Sequence, residues 1–261
     1  MSGFIKQAVQ GLFDPVSKGL RSFLDANGGE FSTGLPLTLS QSAIPVILAP
    51  NGTVATNGTI TLGTALPAIY ANAWVRLPAG AVVGGAAGLY YATFSSTTVG
   101  VITTTFADAA TAFTPYIPAS TIVATGSNSA YTQTTAADIT LANITVPGGL
   151  MGANGATRAR AIYSGTNNAN SKLLATKIGA ASIAGGFALT SNIASNTDVK
   201  LANRGLSLQF GSLGSSVGST PYLTYHAINT AVDSQMSFTA QVAIATDCIV
   251  LECYTIEVLP A

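Results

Sequence analysis

Charge is what this 261-residue chain lacks: 8% of its residues are Asp, Glu, Lys or Arg, against about 25% in an ordinary soluble domain. Ten basic residues balance ten acidic ones, so no net field draws the protein toward nucleic acid or an anionic lipid surface. One His and two Cys are too few for the usual zinc or iron ligand sets or for a disulfide scaffold, and no metal or cofactor is expected. Long, strongly apolar runs are missing as well. The most membrane-like stretch, Leu77 to Phe94, is uncharged, but its Gly and Ala residues with Pro78, Tyr90 and Tyr91 suit packed strands and turns. A membrane-spanning helix wants about 20 strongly apolar residues. Residues 1–7 carry no cationic cluster leading into an apolar run, so a secretory signal is not expected.

What is present is apolarity spread thinly. Hydrophobic residues make up 48% of the chain and the mean hydropathy is +0.45, without Leu-rich blocks. Three segments differ in character. In residues 1–30, Phe4, Ile5, Ala8, Val9, Leu12, Phe13, Val16, Leu20, Phe23 and Leu24 recur at spacings of three and four, the period of an amphipathic helix. Asp14-Pro15 can cap a second helical start and Asn27-Gly28-Gly29 supplies a stop. We read a short helical arm, one kinked helix or two, whose apolar stripe serves docking or self-association, with burial against the body of the same chain or a membrane surface as the alternatives.

Residues 31–140 form a charge-poor β module. From Phe31 to Thr157 the only charges are Arg76, Asp108 and Asp138, a surface that predicts burial against sister chains. Asn51-Gly52 and Asn57-Gly58 are hairpin signals, and Thr59–Leu62, Trp74–Leu77, Leu89–Phe94 and Val101–Thr105 read as strands. The boundary falls near 136–148.

Residues 141–261 read as a jelly-roll-like β-sandwich of about eight strands. Strands are expected at Arg158–Tyr163, Leu173–Ile178, Leu206–Phe210, Tyr222–Ile228 and Asp247–Leu259. In the clearest one, Met236, Phe238, Ala240, Val242 and Ile244 share the core face. Cys248 and Cys253, five apart in the last strand, are expected on opposite faces as reduced thiols.

Candidate chemistry is sparse. His226 sits among Tyr222 and Tyr225 with no adjacent acid, which favours a packed or surface histidine. Asp198, Asp233, Asp247, Glu252 and Glu257 could in principle supply a glycosidase pair, but Glu252 and Glu257, five apart in one strand, should face opposite ways. No catalytic residue is assigned. Loops Ser164–Ser171, Ser191–Thr197 and Gly211–Pro221 could form shallow polar glycan sites or be solvated turns. Arg158 and Arg160, two apart on one face, could hold phosphate or carboxylate, a second subunit's acid, or only water. Asn27-Gly-Gly-Glu30 lacks the Lys and Ser/Thr of a phosphate loop and reads as a hinge.

Two stretches, Asn57 to Val101 and Arg158 to Val258, carry a resemblance. Trp74-Val-Arg-Leu-Pro-Ala-Gly-Ala-Val with Ala87-Gly-Leu-Tyr-Tyr-Ala-Thr-Phe-Ser-Ser-Thr-Thr-Val-Gly-Val, and Tyr163-Ser-Gly-Thr-Asn-Asn-Ala-Asn-Ser-Lys with Asp233-Ser-Gln-Met-Ser-Phe-Thr-Ala-Gln-Val-Ala, resemble β modules of tailed-bacteriophage virion surface proteins. The resemblance implies a homotrimeric, non-enzymatic fibre or spike made in the host cytoplasm. Residues 1–30 would dock it on a tail, connector or capsid protein, and the C-terminal knob would meet the host surface and its glycans. A head fibre or capsid decoration protein is the alternative within that class; a glycan-binding or glycan-cleaving protein is the alternative outside it.

Overall fold

The computed structural model describes residues 37–55, 58–78, 81, 88–102, 129–133, 135–188, 194–205, 207, 209–214 and 223–259. Among these residues the regular structure is all β, in seventeen strands. The expectation of a mainly β chain is met, while the helical arm at 1–30 lies outside the described residues.

The strands form two sheets. The smaller has the order β12 (Ala181–Ala188), β11 (Lys172–Ile178), β16 (Ser234–Val242), β9 (Ile139–Val146). The larger begins β15 (Leu223–His226), β14 (Gln209–Gly214), β13 (Ala194–Asn203), β10 (Ala156–Gly165), β17 (Ile249–Leu259), β2 (Val46–Leu48). It continues β5 (Ala73–Leu77), β6 (Gly88–Phe94), β7 (Val99–Ile102), β4 (Thr59–Leu62), β3 (Gly52–Val54), β8 (Ser129–Tyr131), and β1 (Leu37–Ser42) lies along β17. Neighbours run antiparallel, except that β2 and β5 are parallel. Strands from both sides of the expected boundary therefore share a sheet, because β1 and β2 pair with β17.

Period-two patterning explains the first core. On β16, Met236, Phe238, Ala240 and Val242 are buried, and with Leu141 of β9 and Leu174 of β11 they pack against Tyr163, Val199, Tyr254 and Ile256 of the larger sheet. The Phe238 and Tyr254 rings meet across the layers at 5.3 Å. Ile244, expected on the same face, is 44% exposed. The strand stops at Val242, and the Ala243 amide turns away to donate to the Ser171 carbonyl.

A second core lies on the opposite side of the larger sheet. It gathers Ile47, Ile60, Val75, Tyr90, Phe94 and Val250. Strands β2, β5 and β6 and the start of β17 thus form a wall between two cores. Val46 and Leu48 enter the first while Ile47 enters the second; Trp74 and Val75, Tyr91 and Tyr90, and Ile249 and Val250 divide in the same way. A strand buried on both faces has few positions for a polar residue, which explains why these strands are apolar apart from the half-buried Arg76 of β5 and the exposed Thr93 of β6. For these strands burial within one chain accounts for the scarcity of charge.

Two turn signals have different outcomes. Gly58, at a φ of +81°, closes the β3–β4 hairpin, its amide donating to the Ala55 carbonyl at 2.9 Å. Asn51 instead joins β2 to β3 and ties distant segments. Its amide donates to the Ala245 carbonyl at 2.9 Å, and its side-chain oxygen accepts from the Gln133 amide at 2.8 Å.

The shared wall makes the two cores interdependent. Trp74, the sole tryptophan, faces the first core in an edge-on contact with Tyr91 at 5.6 Å. Ile47→Ala empties space in the second. The substitution is expected to cost about 2–5 kcal/mol and to lower the denaturant midpoint reported by Trp74 fluorescence. A Trp74 transition unmoved by that change would mean that the cores melt separately.

Candidate functional site

Three polar clusters lie on the larger sheet and at one end of the sandwich. The first covers the outer face of β13, β10 and β17. Period two places Arg158 and Arg160 on this face, Arg158 opposite Lys200 and Glu257, and Arg160 opposite Asp198 and Thr255. Each arginine finds a carboxylate on a neighbouring strand. Arg158 donates from Nε to Asp198 Oδ1 at 2.8 Å and from Nη2 to Oδ2, and Arg160 donates from Nη2 to Glu257 Oε2 at 2.9 Å. The hydrogen bond to Asp198 raises the Arg158 pKa above its usual value. Both guanidinium groups thus have a carboxylate partner within the chain. Beside them lies an open depression of about 280 Å³, lined by Arg160, Ile162, Asn196, Asp198, Cys253 and Thr255 among others. Ile162 is 48% exposed and gives it an apolar patch.

A bulge creates the second cluster. In the β10–β17 ladder Ile162 pairs with Cys253 and Tyr163 with Leu251, so Glu252 has no partner. The insertion reverses the side-chain parity. Leu251 and Tyr254 both face the first core, and Glu252 shares the other side of the sheet with Val250, Cys253 and Glu257. The expectation that Glu252 and Glu257, and Cys248 and Cys253, face opposite ways fails for this reason. Cys248 is buried under the second core and Cys253 is half-buried at the depression, both as free thiols. Glu252 Oε1 accepts from Tyr70 Oη at 2.6 Å and from Ser164 Oγ, so the 63–72 connection is fastened to β10 and β17.

The third cluster closes an end of the sandwich. Lys172 shares the inward parity of Leu174 and Ile178 on β11, and its side chain is 0% exposed. Its Nζ lies 3.7 Å from Oδ2 of Asp247, which is itself 1% exposed. The Asn168 amide bridges them: Lys172 Nζ donates to Asn168 Oδ1 at 2.8 Å, and Asn168 Nδ2 donates to Asp247 Oδ1 at 2.6 Å. Asn170 adds its carbonyl at 3.0 Å from Nζ and its Nδ2 at 3.3 Å from Asp247 Oδ1. Thr166 Oγ1 accepts from the Cys248 amide at 2.8 Å. A Cβ on Gly165 would stand 2.9 Å from the Cys248 carbonyl oxygen and 3.6 Å from Lys172 Cδ, so glycine permits this close approach.

The five carboxylates are thus distributed rather than paired, since the remaining one, Asp233, accepts from the Gly148 amide at 2.8 Å. Of the three candidate loops, Ser164–Ser171 is the Lys172 enclosure. Residues 194–197 belong to β13 and 211–214 to β14, so those stretches are strands; the rest of both loops lies outside the described residues. His226 is half-buried on β15 opposite Gln209. The arm residues Phe4, Ile5, Val9, Leu12, Phe13, Val16, Leu20, Phe23 and Leu24 lie outside the described residues. Among the described residues no group of three or more His, Cys, Asp and Glu side chains could hold a metal, and no helix is long and apolar enough to cross a membrane. Sequence reading missed the Lys172 enclosure because Asn167 to Ser171 reads as a turn, although the spacing of Lys172 from Leu174 and Ile178 does place it inward.

No family model and no curated protein matches the chain. A chain in the structure of infectious bursal disease virus Gx strain aligns over 92% of this chain and 86% of its own length, at 10% identity and a TM-score of 0.19. Agreement of that size carries no argument about fold or function.

Burial pushes the phenols of Tyr70, Tyr90, Tyr163 and Tyr254 above their usual range, helped at Tyr70 by the hydrogen bond to Glu252, and it raises the Cys248 thiol. The folded protein holds these protons where the unfolded chain releases them. Their contribution is intact below about pH 9 and is lost as pH rises through roughly 9 to 10 and beyond. A phenolate absorbance titration should show these tyrosines ionising together with unfolding; ionisation with the fold intact would contradict their burial.

Proposed function

We propose that this chain is a structural protein of a tailed-phage virion: a short trimeric fibre or spike, attached through residues 1–30 and meeting the host surface with its C-terminal sandwich. The observation that carries the reading is the use made of charge. Asp198, Glu252, Asp247, Glu257 and Asp233 each fasten one segment to another, an arrangement that suits mechanical rigidity and commits these five carboxylates to structural hydrogen bonds. The resemblance of the 57–101 and 158–258 stretches to virion modules points the same way.

On this reading the sandwich is a jelly roll. Its layers are β1/β2–β17–β10–β13 and β9–β16–β11–β12, the orders that eight strands give when two Greek keys roll up together. Residues 49–138 then form an insertion between its first and second strands, rather than a separate preceding module. Jelly rolls serve in viral capsid and lectin domains, and the role of this one rests on the fastening pattern and the resemblance, not on fold alone. The depression beside Ile162 supplies the polar and apolar groups that a surface glycan would meet.

Light scattering on the purified protein is expected to give about three times the 26.2 kDa chain mass. Deleting residues 2–28 is expected to leave that assembly folded but unable to bind particles that lack the protein, and labelled protein should mark the tail. A monomer, or attachment without the arm, would overturn the fibre reading, and label spread over the capsid would favour a decoration protein.

A further inference from the structure

The third cluster has the parts of a self-modifying site. Lys172 Nζ, a nucleophile once deprotonated, lies 2.8 Å from the side-chain carbonyl oxygen of Asn168, and the carbonyl carbon is one bond beyond, about 1.2 Å from that oxygen. Asp247 addresses both reacting groups. Its Oδ1 already accepts from the amide nitrogen that would leave, at 2.6 Å, while its Oδ2 is buried, outside any hydrogen bond among the described residues, and 3.7 Å from Nζ. Lys172 and Asp247 are screened from water, their side chains 0% and 1% exposed. Positioning of this kind replaces a bimolecular encounter by an intramolecular one.

We infer that Lys172 and Asn168 join through an isopeptide bond, with Asp247 as the proton carrier. Asp247 Oδ2 takes a proton from the Lys172 ammonium, which cancels two buried charges in one transfer. The neutral amine attacks Asn168 Cγ and forms the new C–N bond. Asp247 passes this proton to Nδ2 as the Cγ–Nδ2 bond breaks and ammonia leaves, and then takes the second proton, released by the attacking nitrogen. In sum, an ammonium, a carboxamide and a carboxylate become a secondary amide, ammonia and a carboxylic acid, and no oxidant or cofactor takes part. The bond would lock the 166–171 loop onto the root of β11, at the end of the sandwich where Asp247 leads into β17.

Mass spectrometry of the denatured wild-type chain decides the matter. The expected mass is about 17 Da below that of the sequence, the loss of one ammonia. Trypsin should fail to cut after Lys172, and the resulting 161–177 peptide should give no fragment ions from within residues 168–172. Asp247→Asn, or Lys172→Arg if that variant does not fold, should restore the full mass. A wild-type chain of full mass would overturn the inference. So would a deficit that maps to an Asn-Gly succinimide while Lys172 is cleaved normally.

Discussion

The whole structure depends on a wall of strands buried on both faces. Val46-Ile47-Leu48, Trp74-Val75, Tyr90-Tyr91 and Ile249-Val250-Leu251 send successive side chains into two different cores. Fully burying a side chain of this size contributes about 1.5–3 kcal/mol, and here the contribution falls on both sides of one sheet. The wall joins segments far apart in sequence, since β2 comes from the start of the described chain and β17 from its end. Parallel pairing of β2 with β5 is common in a strand covered on both faces and rare in one exposed to water.

Around this wall the few charged groups act as local fasteners. The Arg158–Asp198 and Arg160–Glu257 pairs cross strands on a face open to solvent, where each is worth at most about 1 kcal/mol. Lys172 and Asp247 are another matter. Both are buried, and while Lys172 is an unbonded ammonium, removing either partner from such a pair typically costs about 3–5 kcal/mol, because the other charge is left uncompensated. The Asn168 and Asn170 amides supply the hydrogen bonds that such a pair requires. Glu252 does comparable work at the bulge, where one carboxylate oxygen holds Tyr70 and Ser164 together. Each of these described charges sits where strands or loops are tied together.

Much of this was legible in the sequence, and what was not has identifiable causes. Alternation located the inward face of β16, because Met236, Phe238, Ala240 and Val242 keep period two until the strand ends. The strands 73–77 and 88–94 were found from their apolar runs, but a run buried on both faces has no alternation to show which core each residue enters. Nor did anything local mark Val46–Leu48 as the neighbour of Ile249–Leu251, since pairing across two hundred residues is set by the cores and not by turns. The arginines were placed correctly on one face, but their partners on neighbouring strands became visible only with the register. Parity failed at Glu252 because a single unpaired residue shifts every later side chain, and no residue type announces it.

If the wall is the common support, its amides have no route to solvent except unfolding of the whole chain. Native-state hydrogen exchange measures this directly. Amides of Ile47, Val75 and Val250 are expected to be among the slowest to exchange, with one shared free energy and one shared response to denaturant. Exchange of Ile47 and Val75 at a lower free energy than Val250 would show that the wall does not open as one unit, and it would contradict the account.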